Sequence, residues 1–139
     1  NMEKQNIRAV TAEQLGELVD FISIDVAFIS LDKVLPVATT LLKDTGSLVA
    51  LIKPQFEAGK EKVGKGGIVR DRAVHEEVLS RILQVAYDCK LYLHGLTFSP
   101  IKGTEGNIEF LGYFTKSEEG ALSITDELIT AVVDEAHAL

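Results

Sequence analysis

The apolar positions along the chain follow two periods, and this predicts strands that alternate with helices. Strand character is found at residues 21–26, 48–52, 90–98 and 107–114. Apolar residues recur at helical spacing within residues 35–42, 74–86 and 128–136. A capping box formed by Thr11 and Gln14 predicts one more helix, which ends at about Val19. The predicted order is helix, strand, helix, strand, helix, strand, strand, helix.

Small polar residues and a glycine mark the predicted helix ends. Ser30 and Asp32 are N-cap residue types before the second helix, and Asp71 is one before the third. A capping signal at residues 123–126 precedes the last helix. Gly46 is predicted to end the second helix as a C-cap glycine. His75 lies near the start of the third helix and is predicted to be exposed.

The strand at residues 48–52 is predicted to be central. Its five consecutive apolar residues are typical of a strand that is buried on both faces, as in parallel sheets. The run ends at Lys53 and Pro54. Pro54 cannot donate a hydrogen bond to a neighbouring strand, and it favours an extended Lys53, so the strand ends there.

The element order predicts an α/β fold, the C-terminal half of a Rossmann-like, doubly wound sheet. Such a half has parallel strands, a terminal antiparallel hairpin and helices on both faces. A complete fold of this kind would also have a first half with a glycine-rich turn for a nucleotide-like cofactor. No Gly-x-Gly-x-x-Gly motif occurs in the sequence. Residues 1–139 are therefore expected to be part of a domain.

Composition excludes several classes of function. The chain has 139 residues, of which 46% are hydrophobic, and no apolar run approaches the roughly 18 residues of a membrane span. Cys89 is the single cysteine, so neither an internal disulfide nor a cysteine metal cluster is expected. No metal site is predicted, and a reducing cytoplasm is the natural location.

Charge is distributed unevenly. The net charge of −7 argues against strong nucleic-acid binding by these residues alone. Residues 53–72 nevertheless contain six basic and three acidic side chains, whereas residues 117–139 contain acidic charges only. The basic segment becomes relevant if it borders the strand ends.

Three charged residues are predicted to lie at strand ends. Lys53 directly follows the central strand, Asp25 lies at the end of the first strand, and Glu109 lies in the last. Open α/β sheets bind ligands at the carboxyl ends of their strands. One lysine at such a position is unremarkable by itself, but three charged groups at comparable positions indicate a site.

The residues around these positions resemble the FtsJ-like superfamily of RNA 2'-O-ribose methyltransferases and, within it, the TlyA or haemolysin A family. The similarity extends to about Phe114. The matching stretches are Asp25-Val-Ala-Phe-Ile-Ser-Leu31, Leu51-Ile-Lys-Pro-Gln-Phe-Glu57, Val63-Gly-Lys-Gly-Gly-Ile-Val-Arg-Asp71, Ser99-Pro-Ile101 and Gly106-Asn-Ile-Glu-Phe-Leu111.

The resemblance implies that a methyl group moves from S-adenosylmethionine to a ribose 2'-hydroxyl at a Lys-Asp-Lys-Glu tetrad. Asp25, Lys53 and Glu109 match three members of that tetrad. Lys53 would act on the hydroxyl, while Asp25 and Glu109 would hold the lysine and set its protonation. Asp25 would also lie near the sulfonium of the cofactor.

The resemblance also implies what these 139 residues lack. The first tetrad lysine, the glycine-rich cofactor loop and the S4-type RNA-binding domain precede the matching region in the family. The resemblance therefore implies an RNA 2'-O-methyltransferase of which these 139 residues alone are expected to be inactive. The expected substrate is RNA, with ribosomal RNA the expected target. Lys65 and Arg70 in the basic segment would contact its phosphates.

Two other functions stay open at this point. The chain could be a truncated, non-catalytic module that forms a homodimer through an uncovered strand edge. It could also lyse membranes, as the haemolysin name suggests. The absence of an apolar span and the acidic C-terminal helix argue against a membrane partner.

Overall fold

The computed structural model describes residues 18–59, 68–99 and 106–138. Their elements, in chain order, are β1 (Val19–Ile24), α1 (Leu31–Leu41), β2 (Leu42–Ile52), α2 (Pro54–Glu57), α3 (Arg72–Asp88), β3 (Tyr92–Phe98), β4 (Phe110–Thr115) and α4 (Asp126–His137). The one-turn helix α2 was not predicted. The helix predicted from Thr11 lies outside the described residues, and its predicted end at Val19 is wrong because Val19 begins β1.

The four described strands form one sheet in the order β1-β2-β4-β3. β1 and β2 are parallel, whereas β4 is antiparallel to both β2 and β3. The predicted terminal hairpin of β3 and β4 is therefore confirmed. β4 also lies beside β2, so that the carboxyl ends of β1 and β2 and the amino end of β4 meet at one edge. We call this the carboxyl edge.

One face of the sheet forms the core with three helices. Ile22, Leu48, Phe114 and Leu93 occupy paired positions across all four strands, and each is at most 3% exposed. They belong to the same buried cluster as the apolar sides of α1, α3 and α4. The mixed α/β prediction is confirmed. These helices lie on one face, so helices on the second face stay a prediction.

Local capping explains where the long helices start. The side chains of Ser30, Asp71 and Thr125 accept hydrogen bonds from the backbone N–H groups of Asp32, Ala73 and Leu128, at 3.3, 2.8 and 3.1 Å. Each bond satisfies a donor that the first turn leaves free. The predicted caps at Ser30 and Asp71 are confirmed, and within the signal at residues 123–126 the cap is Thr125.

Gly46 does not end a helix, contrary to the prediction. α1 ends at Leu41, and Gly46 lies inside β2. A Cβ atom at Gly46 would lie 2.8 Å from the backbone oxygen of Asp20 and 2.5 Å from a side-chain carbon of Leu42. The glycine is therefore required by the close approach of β1.

Candidate active site

Asp25 and Lys53 meet at the carboxyl edge because they follow neighbouring parallel strands. Asp25 comes directly after β1, and Lys53 directly after β2. Their side chains form an ion pair between Lys53 Nζ and Asp25 Oδ1. The lysine side chain is only 15% exposed and the aspartate side chain 36%. The pair is thus accessible from one side and partly shielded from water, which strengthens its electrostatic interaction.

Glu109 lies at the same edge but contacts a different partner. It precedes Phe110, which pairs with Ile52 at the end of β2. The residue is 6% exposed, and its Oε2 accepts a 2.8 Å hydrogen bond from Gln55 Nε2. A carboxylate only accepts hydrogen bonds, so this contact fixes which end of the Gln55 amide faces Glu109. The structure thus brings all three predicted tetrad residues to one edge, where Lys53 pairs with Asp25 and Glu109 pairs with Gln55.

Two aromatic rings follow the residues of the ion pair, Phe28 three positions after Asp25 and Phe56 three positions after Lys53. The rings of Phe28 and Phe56 are 4.7 Å apart at an angle of 55°. Phe28 is 89% exposed and has a φ of 63°. The left-handed conformation is unfavourable for a bulky side chain, and such outliers concentrate at functional sites. The sequence showed only an apolar patch at residues 27–29, with no sign of its exposure.

A third carboxylate, Glu57, is buried at the end of α2. Its side chain is 3% exposed, and it accepts hydrogen bonds from Ser30 Oγ at 2.5 Å and from Leu31 N at 2.9 Å. Arg81 reaches it from α3, at 3.2 Å from Oε1. Burial raises the pKa of Glu57, although the hydrogen bonds from Ser30 and Leu31 and the charge of Arg81 act in the opposite direction.

His75 is buried, contrary to the prediction that it is exposed. It is 0% exposed and packs edge-on against Phe110. Its Nε2 lies 3.0 Å from the carbonyl oxygen of Val69, so that nitrogen carries the proton and donates. Nδ1 is then the acceptor for His137 Nε2 at 2.8 Å. Burial is the main cause that lowers the pKa of both histidines.

Both backbone polar groups of Val69 form hydrogen bonds, and these bonds fix the backbone near the end of the basic segment. Its N–H donates to Asn107 Oδ1 at 2.9 Å, while its carbonyl accepts from His75. Asn107 is two residues before Glu109, so the anchor lies near the carboxyl edge. Arg70 follows directly and is exposed. Lys65, the other predicted RNA contact, lies outside the described residues.

The described part of the chain shows neither a candidate metal site nor a candidate membrane-spanning helix. Residues 18–59, 68–99 and 106–138 contain no group of three His, Cys, Asp or Glu side chains that could hold a metal ion. Within the same ranges no helix is both long and apolar enough to cross a membrane.

The family is shown by comparison with known proteins. The model of the FtsJ-like methyltransferase family matches residues 1–116. The chain therefore belongs to the FtsJ-like methyltransferase family, and the predicted resemblance is confirmed.

Individual relatives agree with that assignment. The Bacillus subtilis protein named "Putative rRNA methyltransferase YqxC" is 48% identical over 98% of this chain and 50% of its own length. Hemolysin A of Brachyspira hyodysenteriae is 39% identical over 82% of this chain and 48% of its own. The Mycobacterium tuberculosis protein named 16S/23S rRNA (cytidine-2'-O)-methyltransferase TlyA is 34% identical over 88% and 46%.

Solved structures share the fold. A protein named "Putative hemolysin from Streptococcus thermophilus" superimposes with a TM-score of 0.86 at 43% identity, over 97% of this chain and 49% of that one. A structure from Lactococcus lactis gives a TM-score of 0.85 at 43% identity, over 98% and 65%. The chain spans about half the length of the curated relatives that it matches.

Proposed function

We propose that the protein takes part in S-adenosylmethionine-dependent methylation of a ribose 2'-hydroxyl in RNA, with ribosomal RNA as the substrate. The observation that carries this proposal is the Lys53–Asp25 ion pair at the carboxyl edge, with the lysine largely withdrawn from water. The names of relatives support the substrate: one is named as an rRNA methyltransferase, and another as a cytidine-2'-O-methyltransferase of 16S and 23S rRNA.

Lys53 is proposed to act on the hydroxyl. A ribose hydroxyl is a poor nucleophile, so a nearby group has to orient it and accept or redirect its proton during attack. Asp25 orients the lysine through their ion pair. Glu109, held by Gln55, supplies a second negative charge at the same edge. Together these groups are suited to hold the proton near Lys53 Nζ.

S-adenosylmethionine, when bound, supplies the methyl group on a positively charged sulfur. We tested the fit on the residues present. Asp25 is a partly exposed carboxylate at the carboxyl end of β1, where it suits a neighbouring positive charge. The glycine-rich turn expected to receive the rest of such a cofactor is not found in this sequence. We therefore propose that residues 1–139 form part of a methyltransferase domain whose cofactor pocket includes residues outside this sequence.

The surroundings of the lysine suit an RNA substrate. Proteins that read single-stranded RNA stack unpaired bases on aromatic side chains. The rings of Phe28 and Phe56, each three positions after a member of the Asp25–Lys53 pair, offer such a surface, and Phe28 is almost entirely open to solvent. Arg70 is exposed beyond the Val69 anchor, where it could contact a phosphate, and Lys65 is proposed for the same role.

The test is methyl transfer from radiolabelled S-adenosylmethionine to ribosomal RNA by a longer protein that contains these residues and the rest of the cofactor pocket. A 2'-O-methyl group blocks alkaline cleavage at its own nucleotide, so the product is mapped by a gap in the hydrolysis ladder. The proposal expects label in RNA and one such gap. Label on a base, with an unbroken ladder, would contradict it.

A second candidate function is assembly without catalysis, in which two copies pair through the sheet. One observation favours it: β1 is at the edge of the described sheet, and the face opposite the helices exposes Phe21 to 56% and Tyr113 to 40%. Sedimentation would distinguish the candidates, because assembly requires a dimer, and replacing Phe21 by a charged residue should then dissociate it.

A further inference from the structure

Two segments at the carboxyl edge contact each other at three successive places. The first is residues 25–30, which we call the site loop. The second is residues 53–57, the lysine turn. Asp25 pairs with Lys53 at their starts, the rings of Phe28 and Phe56 meet in the middle, and Ser30 donates to Glu57 at their ends. The two segments therefore run side by side, and the tetrad pair is only the first of three connections.

Glu57 connects the two segments to the helices α1 and α3. It ends α2, and its Oε2 accepts from the N–H of Leu31, the first residue of α1. A carboxylate at this position satisfies a free donor and interacts favourably with the helix dipole. Arg81 of α3 donates to the carbonyl oxygen of Glu57 at 2.6 Å, in addition to its contact with the carboxylate. One side chain thus joins the site loop, the lysine turn and α3.

The site loop needs such an anchor because its central residue is strained. Phe28 has a left-handed backbone, which a phenylalanine adopts only when its surroundings impose it. Phe28 itself is 89% exposed, so little of its own side chain is held by burial. The loop is instead constrained at its two ends, by Asp25 and by Ser30. Ser30 in turn depends on Glu57, with a 2.5 Å hydrogen bond.

From these contacts we propose that Glu57 is a positioning residue for methyl transfer. Its carboxylate fixes the site loop against the lysine turn and thereby sets the relative positions of Asp25, Lys53 and Phe28. This role deepens the proposed function and rests on it. Glu57 does not contact the reacting atoms; it acts through Ser30 and Leu31 on the residues that do.

The experiment compares Glu57→Ala and Ser30→Ala with a matched control, Thr125→Ala. Thr125 caps α4 as Ser30 caps α1, but it is far along the chain from the site loop and the lysine turn. Two quantities are measured at a temperature at which all variants are folded. One is amide hydrogen exchange at Leu31, with the amides of β2 as an internal reference. The other is the kcat of methyl transfer at saturating RNA and S-adenosylmethionine.

Both site variants should exchange Leu31 at least about tenfold faster relative to β2, and kcat should fall by about 10- to 100-fold, as expected for a misplacement on the order of 1 Å. Thr125→Ala should leave both quantities within about twofold of the wild type. If Glu57→Ala does not fold, Ser30→Ala decides, because it removes one of the two hydrogen bonds that Glu57 accepts from Ser30 and Leu31 and leaves Arg81 its carboxylate.

Three results would overturn the proposal, and each points to a different failure. Unchanged exchange at Leu31 would mean that Glu57 does not hold the site loop. Faster exchange with an unchanged kcat would mean that the loop's position does not matter for transfer. An unchanged rate in Lys53→Ala would reject the proposed site itself, and with it any positioning role for Glu57.

Discussion

The strands β1 and β2 carry a lysine–aspartate pair at each end, and only one of the two pairs is enclosed. At the amino end, Lys43 Nζ lies 3.2 Å from Asp20 Oδ1, with side chains 46% and 78% exposed. At the carboxyl end, the side chains of Lys53 and Asp25 are 15% and 36% exposed. Residue types and strands are the same, so the difference comes from what surrounds each pair.

The surroundings differ because loops and helix starts gather at the carboxyl edge. The site loop, the lysine turn and the segment around Glu109 enclose Lys53 there. The Lys43 pair is exposed to water, which screens its charges. A charged pair becomes useful for proton handling where it is shielded and held by further contacts. Predictions for the two lysines and for the two ion pairs test this contrast directly, and predictions for two phenylalanines and for His75 test the exposure or burial of other groups.

The largest effect is expected from replacing the two lysines. Lys53→Ala should reduce methyl transfer by about 10²- to 10⁴-fold, the range for losing a group that handles a proton. Lys43→Ala should leave the rate within about twofold of the wild type, because its pair is exposed and at the other end of the strands. Initial rates with labelled S-adenosylmethionine measure both. Equal losses in the two variants would remove the distinction between the ends.

The next effect concerns two exposed phenylalanines. Phe28→Ala should weaken RNA binding by about 1–3 kcal/mol, the usual loss when a stacked base loses its aromatic partner. Phe21 is 56% exposed on the open face of the sheet, and Phe21→Ala should change RNA affinity by less than about 0.5 kcal/mol. Filter binding at fixed salt compares them. A larger loss for Phe21 would place the RNA on the face instead of the edge.

A third prediction concerns pH. The pKa values of His75 and His137 are lowered from 6.5 in the folded protein, so the unfolded chain binds more protons as pH falls below 6.5. The stability that these histidines contribute is therefore present above pH 6.5 and is lost as pH falls from there through their lowered values. The acidic groups of Asp71 and Glu76 moderate the effect for His137.

His75→Gln tests this dependence. The amide retains a donor for the Val69 carbonyl but does not titrate. At neutral pH the variant should lose about 1–3 kcal/mol, because His137 loses its acceptor. Its stability should also fall less than that of the wild type when pH is lowered from above to below 6.5. Denaturant unfolding at both pH values gives the two slopes, and parallel slopes would contradict the prediction.

The smallest effect is expected at the amino end. A double-mutant cycle with Asp20→Ala and Lys43→Ala should give a coupling free energy of about 0–1 kcal/mol, as for other exposed pairs. The same cycle with Asp25 and Lys53 should give a larger value, since those side chains are less exposed. Urea unfolding of the single and double variants measures both. A coupling at the amino end equal to that at the carboxyl edge would show that burial does not separate the pairs.

Much of the site could be predicted because its residues follow strands directly along the chain. Asp25 and Lys53 come straight after β1 and β2, and parallel neighbours end at the same edge of a sheet. Glu109 was predicted within a strand but precedes β4, which is antiparallel. Its placement at the carboxyl edge depended on β4 lying next to β2, and this neighbour relation could not be derived from the order of the elements.

The contacts that hold the site could not be predicted in this way. Glu57 and Ser30 are 27 positions apart, and nothing local to either indicates that the first accepts from the second. His75 falls among helix residues with an ordinary polar pattern, yet it is buried because Val69 and His137 supply partners for both ring nitrogens. Gly46 looked like a helix end, and the approach of β1 to β2 required it instead.

The sequence by itself determined the long helices and the strands, the N-caps of the long helices and the family, because these depend on periodicity and on residue patterns that are local along the chain. Only the tertiary structure decided which polar groups are shielded from water and by what. Shielding depends on segments that are distant along the chain. The difference between Lys53 and Lys43 has the same origin, because the two lysines lie at opposite ends of β2 and only Lys53 is enclosed, by the site loop and by the rest of the lysine turn.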